Sequence, residues 1–331
     1  MKKRIILPIV IFLSLFIFFF AAPLLVSKLV NDNFFKKRSE VKESMRLSIS
    51  DFPNIKEEQI SFYSDNNDLL QGYLYSSDTF TPKGVVIYAH GFNCGGSNST
   101  MMFANFFVSN DYYYFTYDIT ANGKSKGSNQ KGLVEGVLDL NKAISCVENN
   151  DLLKDYPIML LGHSWGGYSV GAVLNMHPEV KAICSLSGFN NPNSQMLYSA
   201  KRKVGCFLVN ISSPYIKLYE KMVFHKNYNL NVIDGLNNSS CNVLIVHSAD
   251  DKTVGIEEGY DKYYKEFNNN PRFKFKKYEN RGHGFVFLTD EARVMANDHA
   301  KYNKEFNKEL YINGLDTELF SEILELYNNS L

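Results

Sequence analysis

Cysteine is scarce in this chain, and what there is follows no pattern. Cys94, Cys146, Cys184, Cys206 and Cys241 are scattered and odd in number, with no C-x-x-C pair. That spacing argues against a disulfide framework. Cys146 and Cys184 fall in apolar segments and are expected as packing residues. Net charge is missing too: 35 Lys and Arg balance 35 Asp and Glu, so a nucleic-acid partner is not indicated. Neither a glycine-rich dinucleotide fingerprint nor a P-loop occurs, and no cofactor is expected. His90, His163 and His247 are too widely spaced, and too differently placed, to suggest a metal site. No internal repeat is visible.

Long runs that are both uncharged and almost wholly apolar are absent except for one. Met1-Lys2-Lys3-Arg4 leads into Ile5–Val26, 22 residues without a charge. As a helix this run spans about 33 Å, enough for a bilayer core of roughly 30 Å. A cleaved signal would have a shorter apolar region ending in small residues. Here cleavage after Ala22 would put Phe20 three positions back and Pro23 immediately after the cut. No cysteine stands nearby to carry a lipid. The run is therefore read as a single-pass signal-anchor, residues 1–27. The basic start favours an inside N-terminus and an extracellular main domain, although Lys28, Lys36, Lys37, Arg38 and Lys42 follow it. Residues 28–55 read as a polar stalk with helical character.

From residue 56 onward the pattern changes. Gln59–Ser64 and Leu69–Ser76 read as two strands around the turn signal Asp65-Asn66-Asn67-Asp68. Apolar strands then alternate with helical stretches. Val85–Ala89, Tyr113–Tyr117, Ile158–Gly162, Ala182–Leu186, Val243–His247 and Phe273–Tyr278 are the strands; roughly Thr100–Ser109, Gly132–Glu148, Gly166–Met176 and Glu257–Phe267 are helices between them. Glu318–Tyr327 is an amphipathic last helix. Such alternation predicts an α/β domain with a mostly parallel sheet covered on both faces.

The most informative letters are Gly162-His163-Ser164-Trp165-Gly166, between the run Ile158–Leu161 and a helical stretch. A serine on a sharp strand-to-helix turn presents its hydroxyl from a strained backbone, and flanking glycines let strand and helix approach. The helix N-terminus adds positive potential for a developing oxyanion. A serine hydroxyl is a poor nucleophile until a base takes its proton. For this kind of elbow the partners follow in the order acid, then histidine. Downstream, His283 sits in Arg281-Gly282-His283-Gly284-Phe285 just after a strand, whereas His299 sits in the charged, helix-like Ala296–Leu310 and reads as a surface residue. His283 is preferred as the base. The acid follows Asn242–His247, where Asp250 and Asp251 compete.

Here the chain resembles the α/β-hydrolase family, on the side of its serine aminopeptidase and lysophospholipase-like members. In that family this strand is followed by G-x-x-D-x-x-V. Aligned on Val254, the resemblance makes Asp251 the acid, with Ser248 at the usual glycine; Asp250 is then left as a turn residue bonding its own backbone. Gly84–Phe92 resembles the family's early strand ending in H-G-x. This implies an oxyanion hole from the backbone N–H groups of Phe92 and Trp165. Tyr117–Ser125 resembles the D-x-R-G-x-G-x-S turn but lacks its arginine.

The resemblance implies an α/β-hydrolase fold over residues 56–331, with a cap insertion at about 190–240. That insertion interleaves Tyr198, Phe207, Tyr215, Tyr219, Phe224 and Tyr228 with Lys201, Arg202, Lys203, Lys217, Lys221 and Lys226, opposed only by Glu220 and Asp234. It is either a packed helical excursion with a solvated basic face, or a cap suited to an anionic or acyl-bearing substrate or an anionic membrane surface. The expected activity is cleavage of a carboxylic ester or lysophospholipid-like acyl substrate by Ser164, Asp251 and His283. A serine aminopeptidase is the first alternative, and a non-catalytic binding protein on the same fold the second.

Overall fold

The computed structural model describes residues 2–331 except 36, 37, 39, 40, 93, 95 and 96. Met1, Lys36 and Lys37, which bear on membrane orientation, lie outside the described residues. Helix α1 (Lys2–Phe16) continues through a π turn at Ile17–Ala21 into α2 (Ala22–Phe35). Ile6–Leu29 of this rod is long and apolar enough to cross a membrane, with a mean hydropathy of 2.9.

The expected helical stalk ends early. Helix α2 stops at Phe35, and Phe35, Met45, Leu47, Phe52 and Ile55 are buried. These apolar side chains punctuate the polar stretch and draw it onto the main domain. The Leu47 N–H donates to the Asn98 carbonyl at 3.1 Å.

Beyond it, β1 (Lys56–Tyr63) and β2 (Leu69–Ser76) form the expected antiparallel hairpin. Its turn carries Asn67 at φ 60°, and the Ser64 hydroxyl accepts from the N–H groups of Asn66 and Asp68. The remaining strands are β3 (Gly84–Ala89), β4 (Tyr112–Tyr117), β5 (Ile158–His163), β6 (Ala182–Leu186), β7 (Asn242–Ser248) and β8 (Phe273–Tyr278). They complete an eight-stranded sheet of order β1-β2-β4-β3-β5-β6-β7-β8. Strand β2 meets β4 antiparallel, and every pair from β4 to β8 is parallel.

The central strands bury both faces, which explains their unbroken apolar runs. Val85, Ile87 and Ala89 join one core layer, whereas Val86 and Tyr88 join the other. Helix α3 (Met101–Val108) packs in the second layer, and α4 (Glu135–Glu148) and α5 (Trp165–Ala172) in the first.

Between β6 and β7 run α6 (Pro192–Val204), α7 (Cys206–Phe224) and α8 (Val232–Asn238). Val232 and Leu236 of α8 are fully buried in the first layer. So α8 is the crossover helix of the sheet, and the excursion proper is α6 with α7. Helix α9 (Tyr260–Phe267) joins the same layer; α10 (Asp290–Tyr302), α11 (Lys308–Asn313) and α12 (Thr317–Asn328) complete the opposite one.

Two local expectations fail here. The helix-like Ala296–Leu310 is broken, because Asn303 adopts a left-handed conformation after α10. His299 is not a surface residue: it is 7% exposed, with Nε2 2.7 Å from the Ser44 hydroxyl and Nδ1 2.5 Å from the Lys304 carbonyl. The charged residues around it face solvent, while His299 turns inward to the N-terminal segment.

Candidate active site

The C-terminal ends of β3, β5 and β7 converge where the strand order turns outward from β3, as ligand sites do in open α/β sheets. Ser164 stands between β5 and α5 at φ 58° and ψ −114°, a strained conformation for a residue with a side chain. The adjoining glycines make this turn sterically feasible. A Cβ on Gly166 would lie 1.9 Å from the Ala89 carbonyl oxygen, and one on Gly162 would lie 2.2 Å from the Gly166 oxygen.

His283 comes to Ser164 from the loop after β8. Its Nε2 lies 2.8 Å from the Ser164 hydroxyl oxygen, and its Nδ1 lies 2.6 Å from Asp251 Oδ2. A proton on Nδ1, donated to the carboxylate, leaves Nε2 free to accept from the serine. The other Asp251 oxygen accepts from the N–H groups of Thr253 at 2.8 Å and Val254 at 2.9 Å. Burial alone would raise the Asp251 carboxyl, but hydrogen bonds from His247 and His283 outweigh it and hold it well below the usual carboxylate range.

Asp250 is not next to the imidazole. Its Oδ1 accepts from the Ser248 hydroxyl at 2.6 Å and from the Gly282 N–H at 2.8 Å. It therefore ties the β7 turn to the histidine loop, rather than bonding its own backbone. The Ser248 hydroxyl also accepts from the Arg281 N–H at 2.8 Å. Gly282, at φ 66°, lets the loop bend over this anchor.

Two further histidines contact the His283 loop and Asp251. The His163 Nε2–H donates to the His283 carbonyl at 3.0 Å, and burial, with His283 beside it, pushes the His163 ring down to about 3. It is thus a neutral strut near neutral pH. The His247 Nε2–H donates to the Val254 carbonyl at 3.0 Å and lies 3.5 Å from Asp251 Oδ2. His90 is buried; its Nε2 accepts from the Ile119 N–H and its Nδ1 meets the Gly91 carbonyl. The residue after Gly91, Phe92, reaches the cleft from β3, and its ring lies edge-on to Trp165 at 5.5 Å. Ser164, His283 and Phe92 share a cleft of about 180 Å³ with Cys94, Phe285 and Tyr311. Among the described residues that line it, none is a carboxylate.

The turn that lacks its arginine is still reached by one. Arg38 donates to the Ser125 carbonyl at 2.9 Å and to the Gly123 carbonyl. Asp118 in the same turn accepts from the Lys124 N–H at 2.8 Å and the Tyr73 hydroxyl at 3.0 Å. A cation from the N-terminal segment thus meets this turn, a contact that no local spacing reveals.

Comparison with known proteins agrees with this architecture. Residues 81–235 match the family described as serine aminopeptidase, S33. An esterase of Pyrococcus furiosus is similar in structure, with a TM-score of 0.58 and 17% identity over 89% of this chain and 98% of its own. An acylaminoacyl peptidase of Pyrococcus horikoshii gives 0.56 and 16% over 80% of this chain and 45% of its own. An acetyl xylan esterase from Paenibacillus sp. R4 gives 0.54 and 14% over 75% and 84%. At these identities the likeness is one of fold. A search of curated proteins by sequence finds no match.

Proposed function

We propose that this chain of α/β-hydrolase fold is a serine hydrolase cleaving carboxylic esters of acyl-bearing substrates. The observation that carries this reading is the hydrogen-bonded series Ser164–His283–Asp251 at a strained strand-to-helix elbow. Ser164 Oγ attacks the ester carbonyl carbon while His283 Nε2 takes its proton. The C–O bond to the leaving alcohol breaks, and His283 returns that proton to the departing oxygen. Water then attacks the acyl-enzyme by the same route, releasing the acid and restoring the serine.

Asp251 holds the imidazole in the tautomer with Nδ1 protonated and balances the charge of the imidazolium. The N–H groups of Phe92 and Trp165 receive the oxyanion, each worth roughly 3 kcal/mol of barrier. The N-terminus of α5 adds a favourable field.

A serine aminopeptidase is the second reading, favoured by the description of the matching family. Such an enzyme must bind a free α-ammonium group, for which a carboxylate at the cleft is the natural partner. Asp251, behind His283, already spends both oxygens on His283, Thr253 and Val254, and the cleft's described lining offers no carboxylate. This supports the ester. A panel of p-nitrophenyl acyl esters against aminoacyl arylamides tests it. Hydrolysis of esters at least a hundredfold above arylamides is expected; the reverse order would establish the peptidase.

We further propose that residues 1–27 remain as a single-pass anchor, with the catalytic domain outside the cell and α6–α7 acting as its cap. Supporting retention, the Tyr215 hydroxyl of α7 donates to the Phe19 carbonyl at 2.6 Å, a contact inside residues 1–27 that cleavage after Ala22 would remove.

A further inference from the structure

A second cavity, of about 220 Å³, lies between the N-terminal helix and the β6–β7 excursion. Val26 and Phe34 of α2, Met196 and Ala200 of α6, and Val209 and Ile216 of α7 form its apolar walls. Ser27 also faces it, but its hydroxyl donates to the Pro23 carbonyl at 2.9 Å and offers little to a polar ligand. Lys203 stands at the edge, its ammonium 5.0 Å from the centre of the Phe34 ring.

Three observations decide what this space is for. First, Val26 belongs to the apolar stretch Ile6–Leu29, so one wall of the cavity is the membrane helix itself. Second, α7 runs alongside that helix. The Tyr215 hydroxyl donates to the Phe19 carbonyl at 2.6 Å, inside the span. On the same helix Phe207 is 76% exposed and Ile211 is 55% exposed. A helix tied to a spanning segment and presenting large apolar side chains one turn apart suits the acyl boundary of a bilayer better than water. Third, the Phe34 ring lines this cavity and also stacks on Phe92 at 5.4 Å with planes 10° apart. Phe92 lines the Ser164 cleft. Two parallel rings are therefore the partition between an apolar chamber at the membrane and the nucleophile.

We propose that the chamber between α2 and α6–α7 holds the fatty acyl chain of an amphiphile taken from the membrane in which the protein is anchored. The chain's carbonyl reaches Ser164 past the Phe34–Phe92 partition, and Lys203 at the rim suits an anionic group in the headgroup layer. The delivery to Ser164 rests on the serine hydrolase reading; the occupancy of the chamber does not. An acyl chain, rather than an aromatic peptide side chain, fits because the walls are apolar and continuous with the span.

The test uses the full chain in phosphatidylcholine nanodiscs with a diazirine-bearing palmitic acid as the probe. After irradiation, cross-links are mapped to peptides. They are expected on residues 26–34 and 196–216, displaced by excess palmitate, in both the parent and the Ser164→Ala protein. Ala200→Trp and Ser212→Trp each fill the chamber from a different helix, so one of them serves if the other does not fold. Each should lower those cross-links at least fivefold. In the parent background each should also lower the ratio of kcat/KM for p-nitrophenyl palmitate to that for the butyrate at least tenfold. Cross-links confined to the lipid-facing residues 6–20, or unchanged in both tryptophan variants, would overturn the proposal. Cross-links that behave as expected in a protein unable to cleave any ester would leave the chamber assigned and refute the hydrolase reading instead.

Discussion

Asp250 and Asp251 are adjacent, both carboxylates accept two or more hydrogen bonds, and yet their replacement by asparagine should differ sharply. Asp251 Oδ2 faces His283 Nδ1 at 2.6 Å, while Oδ1 takes the N–H groups of Thr253 and Val254. Asparagine can keep its amide oxygen on those two N–H groups only by turning its NH₂ toward Nδ1. That donor favours the tautomer with the proton on Nε2, where it can no longer accept from Ser164. The loss of tautomer control is worth roughly 10⁴ in kcat, or about 5 kcal/mol of barrier. In Asp250→Asn the amide oxygen can still accept from Ser248 Oγ and the Gly282 N–H. Only the charge is lost, at a position without contact to the imidazole, so the penalty should stay below about tenfold. The assay is steady-state turnover of a p-nitrophenyl butyrate series by full-length protein in detergent, with circular dichroism to confirm equal folding. An Asp250→Asn loss equal to or larger than that of Asp251→Asn would refute the assignment of the acid and the tautomer argument with it.

Glu220 in α7 is 1% exposed and neither carboxylate oxygen has a hydrogen-bond partner among the described residues. Burial pushes it up to about 7. The folded state then keeps a proton that the unfolded chain has released, so stability falls as pH rises from the ordinary carboxylate range to about 7. Glu220→Met should raise the melting free energy at pH 8 by up to about 3 kcal/mol and by little at pH 4; a gain independent of pH would contradict the cause. Neutralising Lys201, Arg202 and Lys203 together should raise KM for anionic acyl esters and weaken their salt dependence. The ratio of anionic to neutral ester activity is the readout, and an unchanged ratio would remove these residues from substrate choice. Intact-mass measurement of the membrane-fraction protein should find Ile5–Val26 present; a chain beginning between Ala22 and Asn33 would instead mean a secreted enzyme.

The alternation of apolar strands and helices carried most of the fold, because β3 to β7 are buried on both faces and their runs are nearly continuous. Ser164, Asp251 and His283 were legible as candidates because each follows a strand, and the structure brings all three within hydrogen-bond reach. What the sequence hid is long-range. Nothing local marks His163 as the strut under the His283 carbonyl, or Asp250 as part of the anchor of its loop. Only the unusual Ser248, at the position where the resemblance expects glycine, was a signal of that anchor. The N-terminal region departs from the expected polar stalk for the same reason. Arg38 and Phe35 look like parts of a polar linker until their partners, the Ser125 carbonyl and the first core layer, are beside them. Of the expected insertion at about 190–240, α8 covers the sheet instead, because its Val232 and Leu236, which resemble cap residues in sequence, are buried in the first core layer.

The central claim is that Ser164 is an activated nucleophile, and covalent labelling by a fluorophosphonate tests it most directly. The full chain in detergent should be labelled stoichiometrically, with the adduct mapped to the peptide containing Ser164. Ser164→Ala should lose labelling altogether, with turnover down roughly 10⁴–10⁶-fold and an unchanged melting curve. An adduct on another residue, or labelling that persists undiminished in Ser164→Ala, would contradict the account.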